Sequence, residues 1–308
     1  MKRRDFISKS VGAGVVAGTG FSLLSLDEAF GNSISNSQAA YDLIALMGGE
    51  AAEMFEKGIA ALGGMSKFVQ KGQTVVVKPN IGWDRTPEFG ANTTPELIAK
   101  IVEHCLKAGA KDVFVFDHTC DNWQKAYNTS GIEKAAKAAG AKIVPGNDEN
   151  AYKAVTVPGG KSLKNAKVHE VLLNSDVFIN VPVLKHHDGA GVSFAMKNLM
   201  GIVWDRGYWH RNDLQQCIAD MVTYRKPDLN IIDGYRVMKK NGPKGVSVSN
   251  VSIEKAQIIS TDIVAADAAA AKIFGKSPET IGHIKIAGEM GLGQIDLTKL
   301  NVNRIKIS

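Results

Sequence analysis

Apolar residues fall into two alternating textures along this chain. Short continuous runs read as strands buried on both faces, and longer stretches with apolar positions three and four apart read as amphipathic helices. Strands are expected at QTVVVKPN (73–80), KDVFVFDH (111–118), AKIVP (141–145), DVFINVPVL (176–184), LNIIDGY (229–235), KAQIISTD (255–262) and NRIKI (303–307). HIKIA (283–287) carries a weaker strand pattern. A helix is expected over 37–62, where Ala39, Leu43, Met47, Ala51, Met54 and Ile59 recur at near-helical spacing before Gly63-Gly64. A second runs from Thr94-Pro95 to Lys107, because Thr94 suits the cap, Pro95 the first helical position, and Gly109 the stop. Further helices are expected over 131–140, from FAMKNLMGIV onward, over 212–225, and over the Ala-rich 263–275.

Strands alternating with helices predict an α/β fold: mostly parallel sheet covered by helices. Gly, Pro, Asn and Lys cluster near 145–165, which leaves room for a break between two lobes. The expected organisation is a leader at 1–31, an N-terminal helical segment at 32–72, and an α/β domain at 73–308.

In such folds, ligands sit beyond the carboxyl ends of the strands. Five polar clusters follow strand patterns: Lys78-Pro79-Asn80, Asp117-His118, Lys185-His186-His187, Asp233-Gly234-Tyr235 and Ser260-Thr261-Asp262. Imidazoles act as acid, base or metal ligand near neutral pH, so His118 and His187 are candidate catalytic groups. Lys78 and Asn80, with the hydroxyl of Thr94 at a helix start, suit an anionic group, and so does Lys197 at the start of another helix. Lys197 lies among apolar neighbours, and a buried lysine takes an anionic partner or a lowered pKa. Each cluster also has a plain reading as a polar loop, a cap or a solvated lysine. His210 sits among Trp204, Tyr208 and Trp209, as a pocket wall or a packed surface loop. Asp262 and Asp267 suit capping and burial beside Lys197 rather than a metal pair.

Composition adds exclusions. The 308 residues are 44% apolar and 22% charged with net charge +6, ordinary for a globular protein. No long basic run interleaves with aromatics, which argues against nucleic acid as a partner. Three cysteines cannot supply an all-Cys iron–sulfur cluster, which needs four thiolates, and the odd count argues against a disulfide framework. They read as buried or inert thiols. The hydrolase nucleophile elbow, the Walker loop and the zinc-protease motif are all missing.

The opening MKRRDFISKS, followed by a Gly/Ala-rich apolar stretch and Ala29-Phe30-Gly31, resembles a twin-arginine export signal cleaved after Gly31. The stretch falls short of the roughly 20 apolar residues of a membrane span. The expectation is a periplasmic or otherwise exported chain that meets the twin-arginine machinery and keeps no membrane span.

The motifs KPNIG, TTPELI, DVFINVPVLKHH, MKNLMGIV, KPDLNIIDGY, NGPKG, STDIVAADA and GEMGLG, in this order, resemble the family catalogued as domain of unknown function 362, over about 73–305. Many members of that family add a ferredoxin-like module. This chain lacks its cysteines, so no iron–sulfur cluster is expected. The stretch from His187 to Lys197 is similar to a segment of nickel-pincer lactate racemases with a histidine and a lysine ten residues apart. That resemblance implies acid/base roles for His187 and His118, a cofactor-anchoring or anion-binding role for Lys197, and a metal-ligand role for His210. It also implies a nickel-containing or other metal cofactor. This chain departs from the racemases in having SFAM before the lysine and NLMG after it.

The implied activity is a racemase, epimerase or oxidoreductase acting on a small, hydroxy-acid-like anion. Moving a hydrogen beside a carboxylate needs facing acid/base groups, a cationic anchor and an electron sink. A periplasmic small-ligand or metal-binding protein without catalysis is the alternative, and a non-catalytic interaction module a third.

Overall fold

The computed structural model describes residues 40–308, so the export-signal reading of residues 1–31 lies outside the described residues. In chain order the elements begin β1 (Leu43–Met47), α1 (Ala51–Ala61), β2 (Thr74–Pro79), α2 (Pro95–Lys107) and β3 (Asp112–Asp117). They continue α3 (Trp123–Thr129), α4 (Ile132–Ala138), β4 (Lys142–Pro145), β5 (Tyr152–Thr156), β6 (Asn165–His169) and α5 (Glu170–Leu173). Then come β7 (Val177–Val181), β8 (Val183–His187), β9 (Gly191–Ser193), α6 (Ala195–Asn198), α7 (Arg206–Arg211) and α8 (Leu214–Tyr224). The chain closes with β10 (Leu229–Met238), β11 (Val251–Ser260), α9 (Ile263–Ile273), α10 (Gly282–Glu289) and β12 (Val302–Lys306).

A ten-stranded sheet runs β12-β1-β11-β10-β7-β2-β3-β4, with β8 paired to β10 and to β9. Its pairs are parallel except where β11 and β9 run against their neighbours. The expected α/β class is what forms. Successive residues of one strand feed opposite cores: Val76 packs with α6, α8 and α9 on one face, while Val75 and Val77 pack with α1 and α2 on the other. That two-sided burial is why the strands read as unbroken apolar runs.

Four sequence-based expectations need correction. Residues 37–62 do not form one helix. LIALM is strand β1, between β11 and β12, and the helix starts only at Ala51. A short apolar run fits either period, and here pairing on both edges decides it. The chain turns at Gly48, whose φ of +109° and whose approach to the Ile307 carbonyl leave no room for a Cβ. HIKIA is helix α10, whose buried His283, Ile284 and Ala287 share one helical face. DVFINVPVL is two strands, because Pro182 has no N–H for the ladder, and β8 runs on through His187. The stretch near 145–165 does not separate two lobes. It leads into the hairpin β5–β6, whose Tyr152 and Val168 pack into the core on the α6–α9 face.

Among the described residues, no helix is long and apolar enough to cross a membrane.

Candidate functional site

The carboxyl ends of β2, β3 and β8 lie along one edge of the sheet, and the segment from β9 to α7 closes over them. Between them is a cavity of about 430 Å³, lined by the predicted Lys78, Asn80, His118, His187, Lys197 and His210. Lys185, Asn198, Arg206, Asp117 and Cys120 line it too.

Thr94 stands apart. It begins α2, and its backbone N–H donates to Asp233 Oδ2 at 2.7 Å, so it fastens that helix to β10. The neighbouring hydroxyl of Thr93 does reach the site's frame, accepting from the Asn80 amide at 2.8 Å. Asp233 lies inside β10 rather than at its end, which accounts for its structural role. Ser260-Thr261-Asp262 falls at the opposite edge of the sheet, because β11 is antiparallel and Ser260 pairs with Leu43 and Asn230 at the starts of their strands. Asp262 there caps α9.

The cavity floor is a chain of polar contacts. Lys78 Nζ lies 2.9 Å from Asp117 Oδ1 and donates to Asn198 Oδ1 at 2.7 Å. Asn80 Nδ2 donates to the same Asn198 oxygen at 3.1 Å, and Asn80 Oδ1 accepts from Lys185 Nζ at 3.2 Å. Lys185 also donates to the Ala91 carbonyl. Asp117 Oδ2 accepts from the Ile81 N–H at 2.7 Å. Gly201 lies against the ion pair so closely that a Cβ there would meet Asp117 Oδ1 at 2.0 Å and Lys78 Nζ at 2.6 Å.

Lys197 projects from α6, whose first N–H groups, Ala195 and Met196, donate to the buried Asp267 carboxylate at 2.6 and 3.0 Å. Its own Nζ contacts Met200 Sδ at 3.2 Å and, among the described residues, has no carboxylate partner. Burial lowers the Lys197 pKa to about 8, opposed in part by Cys120 and reinforced by Arg206 and Lys78. Burial likewise takes Lys185 down to about 7. Lys78 is lowered by burial, with Asp117 pulling the other way.

The two histidines differ in tautomer. His118 Nδ1 lies 2.9 Å from the Val203 carbonyl, which can only accept, so Nδ1 carries the proton and Nε2 keeps its lone pair. The ring stacks on Trp204 at 5.0 Å. Burial and Arg206 lower its pKa, so it is neutral at pH 7. His187 Nδ1 instead accepts from the Gly189 and Ala190 amides at 3.1 and 3.2 Å, so its Nε2 carries the proton. Burial first, then Lys197 and Lys185, hold His187 far below its ordinary pKa, at about 2. His118 therefore offers an acceptor and His187 a neutral donor. His210, on α7, is also lowered, by burial and then Lys197.

A metal ion fits this lining poorly. Among the described residues, no three His, Cys, Asp or Glu side chains come together as a ligand set. The one carboxylate of the lining, Asp117, already faces Lys78, and Lys185, Lys197 and Arg206 repel a cation.

Sequence reasoning gave Arg206 and Cys120 no role. Arg206 starts α7 and reads as a surface charge, yet its guanidinium donates to the His118 and Thr119 carbonyls at 2.7 and 2.6 Å. It also reaches Cys120 Sγ at 3.2 Å. Cys120 is an exposed thiol in the cavity wall, unlike Cys105 and Cys217, which are buried with thiols pushed up to about 12 and about 11. Asn198 had one available signal, its place beside Lys197 in a largely apolar helix start.

The chain is similar to the Thylakoid-associated protein sll1697 of Synechocystis sp., 26% identical over 245 residues, which cover 75% of this chain and 72% of that protein. Among solved structures it is similar to the lactate racemase apoprotein from Thermoanaerobacterium thermosaccharolyticum, with 14% identity and a TM-score of 0.42. That match covers 69% of this chain and 53% of the racemase chain, so this chain spans about half of the racemase's length. A family model described as Domain of unknown function (DUF362) matches residues 75–272, which include all the residues that line the cavity, and the chain belongs to that family.

Proposed function

We propose that the cavity binds a small, hydroxy-acid-like anion and removes and returns a proton at the carbon beside its carboxylate, as a racemase or epimerase does. The observation that carries this reading is the convergence of three buried lysines and Arg206 on a cavity in which, among the described residues, the one carboxylate is already paired. His118 Nε2, neutral and unprotonated, is the group suited to accept the proton. Charge that develops on the substrate oxygens is stabilised by Lys185 and Lys197, with His187 Nε2–H as a further donor.

The test is incubation of the protein with single enantiomers of 2-hydroxy acids in deuterated water. Chiral separation and mass spectrometry follow racemisation and deuterium uptake. Turnover is expected, and His118→Gln is expected to lower it by about 100-fold or more. Unchanged turnover in His118→Gln would remove that residue from the chemistry.

The tautomer of His187 favours a second reading. With Nδ1 held by two amides, the cavity has one evident base rather than two. A binding protein without catalysis meets that description, and ligand binding with no deuterium exchange on any 2-hydroxy acid would establish it.

A further inference from the structure

We propose that the ligand of this cavity carries at least two negative charges, received by Lys185, Lys197 and Arg206. This rests on reading the cavity as an anion site and narrows the class of anion from monocarboxylates to dicarboxylates and phosphate-like groups.

The argument is a charge inventory by geometry. Four cationic side chains line the cavity. Lys78 has its counter-ion, Asp117, at 2.9 Å. Among the described residues, the other three meet only neutral acceptors. Lys185 donates to the Asn80 side chain and the Ala91 carbonyl, Lys197 touches the Met200 sulfur, and Arg206 donates to two carbonyls and lies against a thiol. Lys185 is 1% exposed and Lys197 8%, so bulk water does not do the neutralising. Buried charge without a partner is costly, and a fold keeps it where a ligand supplies the opposite charge. One carboxylate would balance one of the three and leave two in a low-dielectric site. A dianion leaves one, and that one is Arg206 if the lysines are engaged, the guanidinium being the least costly to leave on neutral acceptors. A cavity of about 430 Å³ has room for such a molecule.

The lysines add a second signature. Titratable groups around them are Asp117 and Cys120 after β3, His187 on β8, and His210 with Arg206 on α7. His283 on α10 also feels Lys197. The histidines in this set are held low and Asp117 is tied to Lys78, while Lys185 and Lys197 change protonation near pH 7 to 8. An arriving dianion favours their charged forms, and the complex takes up protons.

The experiment is calorimetric titration of the full chain at pH 8 with malate, inorganic phosphate and lactate, in two buffers of different ionisation enthalpy. Malate, phosphate or both are expected to bind at least tenfold more tightly than lactate, with net proton uptake. Which of the two binds separates a dicarboxylate from a phosphate-like ligand. Lys185→Met and Lys197→Met are each expected to weaken that binding at least tenfold. Both variants are expected to have a higher Tm than the parent without ligand at pH 6, where the two lysines carry their charge, because each removes an uncompensated buried charge. Lactate binding as tightly as the dianions, no binding of any of the three, or methionine variants that bind unchanged would each overturn the proposal. Turnover of a monocarboxylate with no preference for dianions would sink this inference and leave the proposed function standing. Dianion binding without hydrogen transfer on any hydroxy acid would do the reverse.

Discussion

At the scale of single residues, Gly201 shows how closely the site is built. Its Cα occupies space that only a hydrogen can share with the Lys78–Asp117 pair, and its carbonyl accepts from the His118 N–H at 3.0 Å. Gly201→Ala must push the carboxylate off the ammonium or move the backbone that holds His118. Disrupting a buried pair and leaving its members unmatched costs about 3 kcal/mol. A corresponding fall in the urea midpoint, at unchanged m-value, is the expected outcome, and an unchanged midpoint would show that the loop yields freely. Composition and spacing exposed the lysines and histidines of the site because their chemistry is distinctive wherever they stand. They did not expose Gly201 or Asn198, whose value lies in what they touch. Nor did they separate Thr93 from Thr94, since one residue of rotation decides which hydroxyl faces Asn80.

At the scale of elements, α6 is a helix of four residues that would not persist alone. It is held by Asp267, which reaches across from α9 to accept from its first two amides. Burial raises the Asp267 pKa to about 7, and Asp267→Ala leaves both donors buried and unmatched, a loss of roughly 3 kcal/mol by the usual cost of unsatisfied buried amides. Because α6 carries Lys197 and Asn198, the same variant is expected to weaken anion binding, measurable by calorimetry alongside denaturant unfolding. Long periodic segments such as α2 and α9 were legible, and so were apolar strands with a clear stop. LIALM and HIKIA were misread for one reason: five residues carry too little period to separate strand from helix, and partners distant in sequence make the choice. For β1 those partners are residues 256–260 and 302–306.

Across the whole molecule, burial keeps His187, His283 and His169 neutral, at about 2, 3 and 4. Each has an ordinary pKa near 6.5 in the unfolded chain, so below that pH the unfolded state binds more protons. Their contribution to stability is complete above pH 6.5 and is lost as the pH falls. For the fully buried His283 this amounts to roughly 2 kcal/mol between pH 6.5 and 5. Unfolding free energies at the two pH values are expected to differ by less in His283→Gln than in the parent, and an identical difference would show that the residue does not titrate as its burial implies. The sheet also explains what the five polar clusters could and could not reveal. Three lie together because β2, β3 and β8 are parallel. Strand direction is not written in an apolar run, so the reversed β11, which carries the fifth cluster to the far edge, could not be foreseen.

The Lys78–Asn198–Asn80–Lys185 chain has a directional sense. Asn198 turns its oxygen to Lys78 and its amide nitrogen to Asn180 Oδ1, and Asn80 turns its oxygen to Lys185. Flipping either amide would set an NH2 group against an ammonium, so neither can turn without the whole chain breaking. The two ammonium groups are thereby fixed at a set separation, and the floor of the cavity works as a gauge of length. A ligand held at Lys185 meets an ammonium that cannot follow it, so one that is a methylene too long must give that contact up.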